Sequence, residues 1–170
     1  MKTIILLRHG KSDWDVGQGE DHDRPLAKRG RKAAALMGAV LARVGQVPDR
    51  VLTSSAVRAR ETVDLAAEAG RWSCPVEVAP EFYGGSPATV LERVRQEDDG
   101  ASSLVLVGHE PTWSALASDL MGGGILRFPT AAMARLDLEI DGWKAAGSDR
   151  GMLVWFLVPR LVKAAGLTGD

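Results

Sequence analysis

Short apolar runs alternate with longer amphipathic stretches along most of the chain. Four of these runs, at residues 4–7, 50–53, 76–79 and 104–107, are short and compatible with β-structure. Such runs are typical of strands that are buried on both faces of a sheet. The stretches after them carry apolar residues at the spacing of a helix that packs on a core. This alternation of strands and helices predicts an α/β domain with a largely parallel sheet.

Serine and proline residues mark where the predicted helices begin, because serine caps helix N-termini and proline fits the first turn. The residues concerned are Pro25, Ser54 or Ser55, Pro87 and Pro111. Two later β-like runs, 133–140 and 152–158, follow each other across an expected turn at Asp141 and Gly142. We expect a single domain over residues 1–170, a three-layer α/β/α sandwich. Its central sheet is expected to be mostly parallel, with an antiparallel strand near one side.

Composition narrows the class of protein. Hydrophobic residues make up 45% and charged residues 25% of the 170 residues, values that are ordinary for a globular domain. The net charge of −1 gives no bulk attraction to nucleic acid or to an anionic membrane, so neither is expected as a partner. The single cysteine, Cys74, excludes an internal disulfide. With no long apolar stretch and no signal-peptide core, we expect a soluble cytoplasmic protein.

Cations and histidines follow three of the predicted strands. Arg8 and His9 end the first strand, Arg58 lies in the first turn of the helix after the second, and His109 follows the strand at 104–107. Ligands of open α/β sheets bind beyond the carboxyl ends of the strands. If these strands are parallel, the four side chains meet at one edge of the sheet.

Two imidazoles and two guanidiniums at one site suit a phosphoryl group. Arginine forks match phosphate oxygens bidentately and stay charged near neutral pH. The helix N-terminus after Ser55 would add N–H donors for the same anion. A neutral imidazole can attack phosphorus in line, and we expect neighbouring arginines to hold its pKa at or below about 6.5.

Several segments resemble the histidine phosphatase superfamily, which has the phosphoglycerate-mutase-like fold. Residues 7–10, with Ser12 and Trp14, resemble its signature motif. Residues 54–62 resemble its second-arginine motif, and residues 108–111 resemble its second-histidine motif. The three segments occur in the same order as in the family. Residues 23–26 with 29–30 further resemble the small SixA-type phosphohistidine phosphatases. The resemblance runs from residue 4 to about residue 118.

The resemblance implies roles for four residues. His9 corresponds to the nucleophile, and Arg8, Arg58 and His109 correspond to the groups that bind the phosphoryl group. His109 would also donate a hydrogen bond to it and stabilise charge in the transition state. The family implies no metal and no organic cofactor.

The chain departs from larger family members at two points. Asp15 stands where many of them carry an asparagine that helps hold phosphate, and its carboxylate would repel a phosphate dianion. The general acid of the family corresponds best to Glu81, which follows the predicted strand at 76–79. A phosphohistidine leaving group needs less acid help, so a weak acid fits that substrate.

Other residues are interpreted structurally. We interpret Ser54 and Ser55 as helix caps rather than catalytic groups. His22, between acidic neighbours, is interpreted as part of a solvated loop rather than as a metal ligand. Trp14 and Trp113 follow the two histidine motifs, and packing is the favoured role over lining the pocket.

The favoured hypothesis is a metal-independent phosphatase that acts through phospho-His9 on protein phosphohistidine. The segment from Glu81 to Ser103 holds little beyond one helix, which leaves no insertion to build a lid over a small substrate. One alternative is a phosphomonoesterase of small phosphorylated metabolites. A more remote alternative is a phosphate-dependent binding module without turnover, although arginines alone would serve that purpose.

Overall fold

The computed structural model describes residues 1–14 and 19–167. Its strands are β1 (Lys2–Arg8), β2 (Arg50–Thr53), β3 (Val76–Val78), β4 (Ser103–Gly108), β5 (Met133–Leu138) and β6 (Gly151–Leu157). Its helices are α1 (Lys28–Arg43), α2 (Val57–Gly70), α3 (Pro87–Val94), α4 (Thr112–Leu120) and α5 (Pro159–Ala164). Short 3-10 helices occur at Asp21–Asp23, Pro80–Phe82 and Trp143–Ala145.

The six strands form one mixed sheet in the order β3-β2-β4-β1-β5-β6. The first four strands of the chain run parallel, with β4 between β1 and β2. Strand β5 pairs antiparallel with β1, and β6 pairs antiparallel with β5. The predicted sheet, parallel with an antiparallel part at one side, is therefore confirmed.

The two faces of the sheet carry separate cores. Ile4 and Leu6 of β1 pack with residues of α3 and α4, whereas Ile5 and Leu7 pack with residues of α1, α2 and α5. None of these four side chains is more than 2% exposed. This alternation of side chains along a doubly covered strand produces the three-layer α/β/α sandwich that the sequence predicts. Among the described residues, no helix is long and apolar enough to cross a bilayer.

The predicted turn at Asp141 and Gly142 lies in a longer connection that also contains the 3-10 helix Trp143–Ala145, and β6 begins at Gly151, within one residue of the predicted start. One local prediction was wrong, that of serine caps for α2. Helix α2 begins after Ala56, which makes no side-chain cap. Ser54 and Ser55 are not its cap residues, and both of their hydroxyl groups contact histidine side chains.

Candidate active site

The four predicted side chains meet at the carboxyl edge of the sheet. His9 follows β1 and His109 follows β4, and their ring centroids lie 5.0 Å apart. Together with Arg8 and Arg58 they line an open cavity of about 650 Å³. The strand register brings the two histidines together, because β1 and β4 are parallel neighbours and Arg8 pairs with Gly108. The predicted convergence of these four residues is therefore present in the structure.

His9 is held in one tautomer. Its Nδ1 lies 2.6 Å from the Gly10 carbonyl oxygen, which can only accept, so Nδ1 carries the proton and Nε2 keeps its lone pair. The ring is only 7% exposed. Burial, opposed by the bond to Gly10 and helped by His109, Arg58 and Arg8, lowers the pKa of His9 to about 3. At neutral pH this imidazole is uncharged and has a free nitrogen lone pair.

His109 is also neutral at physiological pH. Burial, followed by the charge of Arg58, lowers its pKa to about 4, although Asp21 acts in the opposite direction. Its Nε2 lies 2.7 Å from the Ser54 hydroxyl. Ser54 reaches this position because Thr53 pairs with Val107 in adjacent strands. The serine therefore orients the second histidine instead of capping α2.

The arginines retain donors that have no acceptor. One terminal nitrogen of Arg8 donates to the Phe128 carbonyl at 2.6 Å, but its Nε and that of Arg58 have no hydrogen-bond partner within the described part of the chain. Burial lowers the pKa of Arg8, with Glu110 opposing the shift. A buried N–H without an acceptor costs free energy, so the two guanidiniums at this cavity are incompletely satisfied within the described residues.

Asp21 is a site residue that sequence reasoning missed. Arg58 donates to its carbonyl oxygen at 2.6 Å and to its carboxylate at 3.0 Å, and the Tyr83 hydroxyl donates to the same carboxylate at 2.9 Å. Desolvation raises the pKa of Asp21, but the bonds from Tyr83 and the arginines outweigh it and lower the pKa to about 2. The Asp21 carboxylate thus accepts from one terminal nitrogen of Arg58, and no sequence signal predicted this contact.

His22 lies against the site rather than in open solvent. Its Nε2 is 3.0 Å from the Ser55 hydroxyl, and its ring meets Tyr83 edge-on with centroids 5.0 Å apart. The segment is solvated as predicted, since Asp21 and Asp23 are exposed, but His22 itself is only partly exposed and contacts the site. Within residues 1–14 and 19–167, no cluster of three metal-binding side chains occurs.

The loop after His9 is fixed by its neighbours. The Gly10 amide donates to the Thr62 hydroxyl at 3.0 Å, and that hydroxyl donates to the Arg58 carbonyl at 2.7 Å. The first turn of α1 packs directly on this loop, since a Cβ at Gly30 would lie 2.2 Å from the Lys11 carbonyl oxygen. Only glycine permits this approach of backbone to backbone.

Trp113 packs against the loop that carries His109. Trp113 is fully buried and donates from Nε1 to the Leu7 carbonyl at 3.0 Å. A Cβ at Gly108 would meet its ring at 2.5 Å, so glycine is needed immediately before His109. The packing role predicted for Trp113 is confirmed. Trp14, by contrast, is 68% exposed and lines the cavity, with Arg24 stacked 3.5 Å from its ring centroid, so the packing role predicted for Trp14 was wrong.

The structure does not bring Glu81 into the cavity. Its carboxylate lies 3.6 Å from Nε of Arg93 on α3, and the cavity wall at this point is formed by Tyr83 and Gly84. Placement of Glu81 as a proton donor is therefore corrected, because the 3-10 helix Pro80–Phe82 turns its side chain towards α3. Asp15 lies outside the described residues.

Two neutral imidazoles between two arginines, at the carboxyl edge of an α/β sheet, define a class of protein that handles phosphoryl groups. Comparison with known proteins gives the family. The model of the histidine phosphatase superfamily (branch 1) matches residues 4–83. The phosphohistidine phosphatase SixA of Escherichia coli (strain K12) is 26% identical over 95% of this chain and 97% of its own. An uncharacterized protein of Mycobacterium tuberculosis (strain H37Rv) is 38% identical over 91% of this chain and 100% of its own.

Solved structures agree with the sequence relatives. A candidate phosphohistidine phosphatase SixA from Nakamurella multipartitia has a TM-score of 0.82 at 27% identity, covering 93% of this chain and 96% of that one. One from Agrobacterium tumefaciens has a TM-score of 0.79 at 29% identity, covering 93% and 98%. This chain belongs to the histidine phosphatase superfamily. It is a phosphatase with the phosphoglycerate-mutase-like fold of its SixA neighbours.

Proposed function

We propose that this phosphatase removes the phosphoryl group from protein phosphohistidine, with His9 as nucleophile. The observation that carries the proposal is the His9 imidazole. It is buried, neutral, proton-bearing at Nδ1 and open at Nε2, and it faces His109 at 5.0 Å between two arginines. A nitrogen lone pair held ready in this way is what in-line attack on phosphorus requires.

The reaction then has two steps. In the first, His9 Nε2 forms a bond to phosphorus while the bond from phosphorus to the substrate nitrogen breaks, and the departing imidazole takes a proton from solvent at the open mouth of the cavity. In the second, water attacks the phosphorus of phospho-His9, which releases inorganic phosphate and returns the lone pair to Nε2. Arg8, Arg58 and His109 hold the oxygens in both steps and offset their charge.

Arg58 must exchange partners when substrate arrives. Its carboxylate partner, Asp21, has a side chain that is 52% exposed, so this ion pair is weakened by solvent. A phosphoryl dianion carries more charge than one carboxylate and offers three oxygens to the guanidiniums of Arg8 and Arg58, which both line the cavity. Exchange of Asp21 for substrate is therefore favourable for the arginine.

Two features support phosphohistidine as the substrate. Helix α3, the main element between β3 and β4, packs on the core through Val90, Leu91 and Val94 and does not cover the cavity. The mouth is therefore open to a side chain that projects from a protein surface. The second feature is the position of Glu81, outside the cavity, since imidazole is a leaving group that needs little acid help.

A substrate panel tests the proposal. Hydrolysis of a phosphohistidine peptide, a phosphoserine peptide, a set of sugar phosphates and 4-nitrophenyl phosphate is compared by release of inorganic phosphate. We expect the highest kcat/KM for the phosphohistidine peptide. Efficient release from sugar phosphates, with the phosphohistidine peptide left intact, would favour the small-molecule phosphomonoesterase instead.

Trapping tests the nucleophile. Wild-type protein and His9→Ala are mixed with ³²P-labelled substrate and quenched in alkali, which preserves phosphohistidine. We expect acid-labile label on the wild type alone, and turnover reduced by more than about a thousandfold in His9→Ala. Equal labelling of the two proteins would exclude His9, and absence of label together with absence of turnover would favour a binding module.

A further inference from the structure

A second cavity adjoins the active site. It has a volume of about 560 Å³ and shares Lys11 and Thr130 with the catalytic cavity. Its far wall is formed by Arg29 from α1 and by Arg160 and Lys163 from α5. We call this cavity the basic pocket. It lies beside the phosphoryl site, and apart from the shared Lys11 and Thr130 it is made from elements that the proposed reaction does not use.

The charge of the basic pocket is unbalanced. Lys11, Arg29, Arg160 and Lys163 all line it, and within the described part of the chain its walls contain no carboxylate. The described residues form eleven ion pairs, and none of these four cations takes part in any of them. Four like charges around one cavity repel each other, and an anion in the cavity relieves that repulsion.

Helix stability does not explain these cations. The first turn of α1 contains Lys28, Arg29 and Arg31 and no acidic residue. Cations near a helix N-terminus oppose the helix dipole, so this arrangement disfavours the helix. Helix α5 buries only Val162, which leaves Arg160 and Lys163 on its exposed side. The cations are thus placed by two unrelated elements around the same space.

We propose that the basic pocket is a second anion-binding site, which takes a carboxylate side chain next to the phosphorylated residue of the protein substrate. The proposal rests on the proposed function for its choice of substrate. Lys11 lies at the junction, so a chain that places its phosphoryl group between His9 and His109 extends directly towards Arg29 and α5. Acidic flanking residues would therefore select among phosphohistidine substrates.

The test uses two peptides that bind without turnover. Both carry a phosphonate analogue of phosphohistidine, and they differ only in flanking residues, glutamate in one and glutamine in the other. Calorimetric titration of the wild type should give about fivefold tighter binding of the glutamate peptide. This preference should shrink at high salt, because partly exposed charge pairs are screened.

Charge-reversal variants locate the effect. Arg160→Glu/Lys163→Glu should lose the preference for the glutamate peptide, bind the glutamine peptide as the wild type does, and keep the wild-type kcat for 4-nitrophenyl phosphate. Arg29→Glu, on a different element, should also reduce the preference. Agreement between the two variants would show that the effect does not come from a local folding defect in α5. The matched control Arg71→Glu/Lys144→Glu carries the same charge change on exposed side chains away from the pocket and should keep the preference.

Three results would overturn the basic pocket as proposed. The first is equal affinity of the wild type for both peptides, and the second is an equal loss of affinity for both peptides in the α5 variant. The third is loss of the glutamate preference in the control variant. Failure of the proposed function looks different. In that case the glutamate preference persists in titration while the phosphohistidine peptide of the substrate panel is not hydrolysed.

Discussion

Arginine side chains cluster in two regions of the molecule, and the two regions hold them in opposite ways. Arg50 and Arg93 each contact the carboxylates of both Glu77 and Glu97. Arg8 and Arg58 share the phosphoryl cavity, where Arg58 pairs with the half-exposed Asp21 and Arg8 donates to a carbonyl oxygen. The first group is balanced in charge, whereas the second is not.

The difference separates charges that stabilise the fold from charges that serve a ligand. In the balanced group, bonds from Arg50 and Arg93 lower the pKa of Glu77, which keeps the carboxylate charged. In the catalytic group, burial and the arginines lower the pKa of both histidines, which keeps the imidazoles uncharged. Two arginines with only one half-exposed carboxylate between them therefore favour an anion in the cavity, and they stabilise the fold less than the balanced group does.

Substitution of Arg58 should give the largest effect on activity. Arg58→Lys keeps the charge but loses the planar fork, so kcat/KM for 4-nitrophenyl phosphate should fall about a hundredfold. The matched control, Arg50→Lys in the balanced group, should stay within about twofold of wild type. Steady-state kinetics of both variants checks the comparison. An equal fall in the two would show that the groups do not differ in role.

Substitution of Arg93 should act on stability instead. The Glu97 side chain is only 2% exposed, and Arg93→Ala removes one of its two partners. The free energy of unfolding should fall by about 2 kcal/mol, with kcat for 4-nitrophenyl phosphate unchanged. Urea denaturation measures the loss, and the double variant Arg93→Ala/Glu97→Gln should recover part of it. A stability loss that the double variant leaves in full would show that the buried charge is not its cause.

Acid should destabilise the ligand-free protein through the two active-site histidines. Their pKa values in the folded state, about 3 for His9 and about 4 for His109, lie below the usual value of 6.5. The unfolded chain therefore binds more protons as pH falls from 6.5, and stability decreases in that window and is level above it. Between pH 7 and pH 5 the loss should be about 2 kcal/mol per histidine.

Denaturant midpoints at the two pH values measure this slope. The variant His9→Gln/His109→Gln should show a flatter dependence, since it removes the two groups that resist protonation. An unchanged slope in that variant would assign the acid sensitivity to other residues.

Substitution of Glu81 should give the smallest effect. Its carboxylate faces Arg93 rather than the cavity, so Glu81→Gln should change kcat for 4-nitrophenyl phosphate by less than about twofold. The pH–rate profile of this variant should also match that of the wild type. A fall of tenfold or more with loss of one limb of the profile would restore Glu81 as the proton donor.

Much of the site was predictable because it lies at strand ends. Arg8, His9 and His109 follow short apolar runs, and the parallel-sheet rule alone places such residues on one edge. Arg58 was predictable from its place in the first turn of α2. Ser54 was misassigned because its partner, His109, follows β4, which is adjacent to β2 in the sheet but distant in sequence.

The sequence by itself determined the order along the chain of the six strands and of helices α1 to α4, the family signature and the identity of the four converging residues, since each depends on local spacing, whereas α5 was not predicted. Only the tertiary structure decided that Asp21 contacts Arg58, that Glu81 faces Arg93, and that burial keeps both histidines neutral. It also assembled the basic pocket from α1, α5 and two loops. Desolvation and pairing are properties of neighbours in space, and those neighbours come from separate parts of the chain.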